Sequence, residues 1–327
     1  MTFSNPNIFE FATKELSQDA FICWLIAWSK NTEAQMCSGS NKHIYNASQK
    51  FLELLLGKEY ESGIQVGDVQ QQKYHTDIIV EFTNGKCLLI EDKINAIATE
   101  EQVNAYAELI KRNSSNVSNL CTPVLLITGN QDFPKADNIH VVRRSDILKC
   151  LDGFDEICAD YDIFTDFFKH IKAKEHAFNA WKDTPVKNWT VDAIEGFYSE
   201  LKSSGLDSSF GYVANPRGGL WVFYFGAQKI KTDMEAYFQM EATIYDDQCN
   251  LALYLRASSN DADQTKELAE ALRDRLDASI FKTCISRKGK TMRVAEVEFS
   301  AFDEAGIISF NDAFEQLTKL EKLKLKI

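Results

Sequence analysis

The stretch from Tyr74 to Tyr106 constrains the fold more than any other part of this chain. It reads YHTDIIVEFTNGKCLLIEDKINAIATEEQVNAY. Two apolar runs flank Thr83-Asn84-Gly85, and Asn-Gly between runs rich in β-formers is a strong hairpin signal. The second run, Cys87 to Ile90, leads directly into Glu91-Asp92-Lys93. Side chains alternate faces along a strand, so Glu91 and Lys93 share one face and Asp92 takes the other. Loop length decides the partner of Asp77. A three-residue loop, Thr83 to Gly85, pairs Phe82 with Lys86 and sets Asp77 opposite Glu91. A two-residue loop sets it opposite Asp92, because a one-residue slip changes the facing side. The three-residue loop is adopted here, with Gly85 supplying the positive φ that closes it. It gathers Asp77, Glu91 and Lys93 on one face.

Two carboxylates and one ammonium at a strand end suit a hard cation. Carboxylate oxygens favour Mg²⁺ or Mn²⁺, which keep waters and bind substrate phosphates. A lysine beside them can orient a water and offset charge developing on a phosphoryl group. The plainer reading is a solvated strand end with a surface ion pair of little energetic weight. The next segment, Ala98 to Arg112, has helical periodicity, with Val103, Tyr106, Ala107 and Ile110 on one stripe. Gln102 and Tyr106 are four apart and lie on one helix face.

Asp77, then Glu91-x-Lys93, then Gln102-x-x-x-Tyr106 resembles the PD-(D/E)XK nuclease superfamily, and the Q-x-x-x-Y element resembles its RecB-type branch. IEDKINA followed by EEQVNAY is similar to an uncharacterised bacterial family within it. The resemblance spans roughly the first half of the chain. It implies a restriction-endonuclease-like αβββαβ core with a mixed sheet, in which Asp77 and Glu91 hold Mg²⁺ or Mn²⁺ and the Asp92 carbonyl is a further ligand. Lys93 would position the attacking water, and Gln102 and Tyr106 would position substrate or support the ligands. The superfamily also implies a first-helix acid near the metal, for which Glu15 and Asp19 are the candidates. Capping explains Asp19, so Glu15 is preferred. The middle residue of the triplet is often apolar in the superfamily, and here it is Asp92.

At 327 residues the chain can hold two domains. Its longest apolar stretch, Ala20 to Trp28, is too short to span a bilayer, and the N-terminus lacks the pattern of a secretory signal. None of the eight cysteines forms a C-x-x-C pair. Each reads as a small apolar residue in a reducing cytoplasm. Net charge is −12, which argues against broad, sequence-independent coating of DNA. A nuclease of this composition needs local basic patches, a metal that offsets its acids, or a basic partner. The densest basic stretch is Lys282, Arg287, Lys288, Lys290 and Arg293, either a nucleic-acid contact or a solvated loop.

The rest of the chain predicts an α/β order. Ser17 caps a buried helix running to Trp28; Asn31 to His43 is a loop; Asn46 to Leu56 is an amphipathic helix stopped at Gly57. Ile64 to Gln72 is an edge strand. Pro123 to Thr128 and Ile139 to Val142 are strands, and Ser145 caps a short helix. Asp160 to Trp181 is a helix leading to a second domain. That domain is α+β, with a helix from Asp192, strands at Gly219 to Phe225 and Tyr237 to Tyr254, a helix from Ala262 to Ala278, a strand or hairpin from Arg293 to Phe310 and a closing helix. The expected domains are 1–182 and 183–327.

The functional expectation is a cytoplasmic, Mg²⁺-dependent nuclease acting on nucleic acid, DNA before RNA, with no membrane association. A protein partner or a second copy of the chain is admitted. Defence against foreign DNA is what the superfamily would imply. The alternative is a catalytically silent or partner-dependent binding module that kept the fold.

Overall fold

The computed structural model describes residues 6–73, 76–94, 101, 105, 121–131, 139–215 and 218–325. The chain divides into two compact units, Met1–His176 and Ala177–Ile327. Each has its own apolar core. Trp181, placed in the first domain by the sequence, packs into the second core.

The first unit is built on a five-stranded mixed sheet in sequential order: β1 (Val66–Lys73), β2 (Thr76–Phe82), β3 (Cys87–Lys93), β4 (Cys121–Ile127) and β5 (His140–Arg143). The β1–β2 and β2–β3 pairs are antiparallel; β3–β4 and β4–β5 are parallel. Helices α1 (Glu15–Ala27), α2 (Thr32–Met36) and α3 (Ser40–Leu56) precede the sheet. Helices α4 (Arg144–Cys150), α5 (Phe154–Ile157) and α6 (Asp162–Asn179) follow it. Ile78, Val80, Leu88 and Ile90, two apart along their strands, join Phe21, Ile22, Leu25, Phe51 and Leu52 from α1 and α3 in one core. Phe21 of α1 stacks on Phe167 of α6 with ring centroids 3.8 Å apart. Each fully buried side chain of this kind contributes about 1.5–3 kcal/mol.

The β2–β3 hairpin has the three-residue loop. The Phe82 amide donates to the Lys86 carbonyl at 3.0 Å, and Gly85 sits at φ 83°. The ladder pairs Ile78 with Ile90 and Glu81 with Cys87, and the same count sets Asp77 opposite Glu91.

Several local expectations are corrected. Helix α1 starts at Glu15, and its N-cap is Lys14 with no side-chain bond, so Ser17 is not the cap. The segment read as a loop before residue 43 contains α2 and the first turn of α3, which Gly39 introduces at φ 73°. Arg143, not Ser145, is the N-cap of α4, and its amide donates to the Asp146 carboxylate at 2.9 Å. Cys87 and Cys121, expected as reduced thiols, are joined in a disulfide. They are direct partners in the parallel β3–β4 ladder, with Cα atoms 4.6 Å apart. Sequence separation hides such a pairing.

The second unit carries a six-stranded antiparallel sheet, ordered β10-β11-β9-β8-β7-β6. The strands are β6 (Ser208–Val213), β7 (Leu220–Lys231), β8 (Met234–Tyr245), β9 (Gln248–Ser259), β10 (Phe281–Thr283) and β11 (Thr291–Val297). Helices α7 (Val191–Ser203), α8 (Ala262–Arg273) and α9 (Phe310–Glu321) complete the unit. One sheet face presents Phe223, Phe225, Phe238, Met240, Leu253 and Leu255 to the core that the helices share. The stretch Tyr237 to Tyr254, expected as strand with no turn placed in it, is divided between β8 and β9 by a turn at Asp246 and Asp247, both at positive φ. Helix α8 stops at Arg273, short of the expected Ala278. Among the described residues, no helix is long and apolar enough to cross a membrane.

Candidate functional site

The pleat of β3 sorts its last three residues between two environments. Glu91 and Lys93 lie on the face that Asp77 shares from β2. Asp92 points to the opposite face, beneath α1. All three are buried, with Glu91 3%, Asp92 0% and Lys93 8% exposed, so the plain reading of a solvated strand end does not hold.

On the first face, oxygens surround the Lys93 ammonium. Its Nζ lies 2.8 Å from Glu91 Oε1 and 3.5 Å from Asp77 Oδ2, and donates to the Asp92 carbonyl at 2.9 Å. Asp77 is held from two further sides. Its Oδ2 accepts the Asp92 backbone amide at 2.9 Å, and its Oδ1 accepts Gln72 Nε2 at 3.2 Å. Gln72 sits at φ 53°, a left-handed position uncommon outside glycine. Glu91 Oε2 is buried and has no hydrogen-bond partner. Glu15, from the start of α1, reaches the same strand end, where its Oε1 accepts the Ile94 amide at 3.1 Å.

On the second face, Asp92 Oδ1 accepts Gln18 Nε2 at 2.5 Å. Gln18 Oε1 in turn accepts the Thr128 hydroxyl at 2.8 Å. The Thr128 carbonyl accepts Arg144 Nη1 at 2.7 Å, which ties the end of β4 to α4. Asp19, read from the sequence as a helix-capping residue, is wholly buried instead, and neither of its carboxyl oxygens has a hydrogen-bond partner. Asp92 Oδ2 also lacks one.

Burial sets the electrostatics. It is the largest influence raising Glu91 above the usual glutamate range; the Lys93 contact opposes it and the Asp77 charge adds to it. Burial alone would depress Lys93, but its bond to Glu91 and the charges of Glu91, Asp77 and Glu15 overcome that and raise it. Lys93 therefore stays an ammonium. Asp92 is pushed well up, first by burial and then by the Asp19 charge, against the Gln18 hydrogen bond. Asp19 is pushed up to about 7 by burial and the Asp77 charge, with Asp92 and Gln71 acting the other way. Two carboxyls buried beside one another cannot both ionise cheaply.

The donor set on the first face is all oxygen: two carboxylates and one backbone carbonyl, converging where Lys93 places its positive charge. That chemistry is of the kind that suits Mg²⁺ or Mn²⁺, and Glu91 Oε2 is a buried carboxylate oxygen with no hydrogen-bond partner. The side chain of Asp92 belongs to the other face, so only its carbonyl is disposed toward a cation. Glu15 is engaged with the backbone beside the site. Among the described residues, no group of three or more His, Cys, Asp or Glu side chains forms a ready-made metal cage. Residues 101 and 105 are helical, while Gln102 and Tyr106 lie outside the described residues. Sequence reasoning missed Gln18, Thr128 and Gln72 as parts of this cluster, and it named Asp19 as a candidate first-helix acid but set it aside as a cap. The contacts of these residues come from three other elements, which no spacing within the strand reveals. In comparisons with known proteins, the chain matches no family model, no curated relative and no solved structure.

Proposed function

We propose that the first unit is a metal-dependent nuclease of the PD-(D/E)XK type that hydrolyses phosphodiester bonds, in DNA before RNA. The observation that carries this reading is the convergence of Glu91 Oε1, Asp77 Oδ2 and the Asp92 carbonyl on Lys93 Nζ, within 2.8–3.5 Å. Asp77 and Glu91 would hold Mg²⁺ or Mn²⁺ with the Asp92 carbonyl. Bound there, the ion would supply Lewis-acid polarisation of a phosphoryl oxygen. Asp77 is pre-oriented for that task by the Asp92 amide and Gln72. Lys93 keeps its proton and can hold a water or a phosphoryl oxygen by hydrogen bonding, which offsets charge gathering on the phosphorus. Glu15 fixes the backbone at Ile94, and so the end of β3 that carries Glu91, Asp92 and Lys93.

A second reading, a catalytically silent module on the same fold, is favoured by one observation: the Lys93 ammonium already pairs with one oxygen of each acid. Cleavage decides between the two. DNA and RNA, single- and double-stranded, are incubated with the chain and Mg²⁺ or Mn²⁺. Wild type is expected to cut at least one of these, with Glu91→Gln and Lys93→Ala each slower by about 100-fold or more. Circular dichroism checks that both variants stay folded. If the folded variants cut like wild type, or if wild type cuts nothing with either metal, the enzyme reading is wrong.

A further inference from the structure

The second unit has a sheet face that its core does not use. Opposite the apolar face, cross-strand register sets Ser209, Tyr224, Gln239 and Tyr254 in one row across β6 to β9. A second row runs Tyr237, Arg256, Arg293 across β8, β9 and β11. This face opens into a hollow of about 520 Å³, lined among others by Tyr224, Tyr237, Gln239, Arg256, Arg287 and Arg293. A second hollow of about 380 Å³ shares Tyr224 and Tyr237 with it, but its charged lining is Asp207 and Glu235, so the positive charge is confined to the larger hollow; the two tyrosine ring centroids are 5.8 Å apart.

The polar groups here are held in place yet incompletely used. Glu241, 3% exposed, accepts Arg256 Nη1 and Gln239 Nε2 on Oε1, each at 2.8 Å, and Arg293 Nη2 on Oε2. One carboxylate thus anchors two guanidinium groups and leaves a positive charge uncompensated. Arg256 Nε is buried with no hydrogen-bond partner. Arg293 lies over the Tyr254 ring, its guanidinium carbon 4.1 Å from the centroid, while part of its side chain stays open to solvent. Beside the hollow, residues 282–293 hold five basic side chains and no acidic one, in a chain of net charge −12. Locally positive charge, fixed arginines and recessed tyrosines suit one occupant chemistry, a phosphate carried next to an exposed aromatic base. A duplex keeps its bases stacked inside and cannot offer them to rings set into a concave face.

We propose that this sheet face binds single-stranded nucleic acid, with phosphates on Arg293 and Arg287 and bases against Tyr224 and Tyr237. The proposal goes beyond the nuclease reading and is tested apart from it. Anisotropy of a labelled oligothymidylate or oligouridylate is measured in chelator with the full-length Glu91→Gln chain, so that cleavage plays no part. The single strand is expected to bind with marked salt dependence. Tyr224→Leu should weaken it roughly 5- to 100-fold, and Tyr224→Phe should leave it nearly unchanged. Arg293→Gln should weaken binding and reduce its salt dependence. A duplex binding as tightly, a mononucleotide binding as tightly, or a strand indifferent to all these variants overturns the proposal. Should a variant fail to fold, a 5-iodouridine strand photo-crosslinked to the unsubstituted sheet keeps the test. Adducts on peptides of β7 to β9 support the site, and adducts only elsewhere overturn it.

Discussion

Burial holds Asp19 and Asp92 well above the ordinary aspartate range. An acid whose folded pKa exceeds its unfolded value binds its proton more tightly when folded. Its contribution to stability is therefore full below the ordinary aspartate value of 3.8 and is lost as pH rises to about 7. Asp19→Asn keeps the shape, removes the titration and offers an N–H to the unpartnered Asp92 Oδ2. The variant should melt higher than wild type above pH 7, by about 2–4 °C for each kcal/mol recovered, and match it more closely near pH 5. Melting curves across that range in chelator check this; an unchanged pH slope in the variant sinks the idea. The sequence placed Asp92 on the face away from Glu91 correctly, because strand alternation is strict. It misjudged Asp19, because a carboxylate near a helix start has the same local pattern whether it caps the helix or is buried.

At the scale of elements, the hairpin was legible because Asn84-Gly85 admits few turns and the apolar pattern admits one register. The start of α3 was not, since Ser40 to His43 are polar and follow Gly39. The β8–β9 turn was missed because Asp246-Asp247 lacks the glycine that marks most tight hairpins. The join of β3 to β4 depends on a glycine of another kind. A Cβ on Gly129 would lie 1.6 Å from the Ile94 carbonyl oxygen, a backbone atom next to Lys93. Gly129→Ala must push the ends of β3 and β4 apart, and should destabilise the chain by about 1–3 kcal/mol or more. Gly289→Ala, whose added carbon meets nothing closer than 3.6 Å, should change stability by less than about 0.5 kcal/mol. Urea midpoints of the two variants, compared with wild type, measure the difference. Equal midpoints would mean that the strand ends yield freely.

At the scale of the molecule, two cores imply two folding units. Fragments 1–179 and 180–327 each contain one complete apolar cluster, and each is large enough to fold alone. Both are expected to unfold cooperatively, and 1–179 to retain the near-neutral titration of Asp19. A fragment without a cooperative transition would show that its core is incomplete. The two-unit organisation was legible from the shift to antiparallel patterning after residue 191, whereas the disulfide between neighbouring parallel strands was not. Lys93 has a consequence at this same scale. A chain that tethers its own replaceable counter-ion needs no dissolved metal to keep buried acids together, so its architecture outlasts stripping of free ions. Any incoming dication must displace a charge that cannot diffuse away, and the evicted amine stays poised beside whatever anion the newcomer attracts.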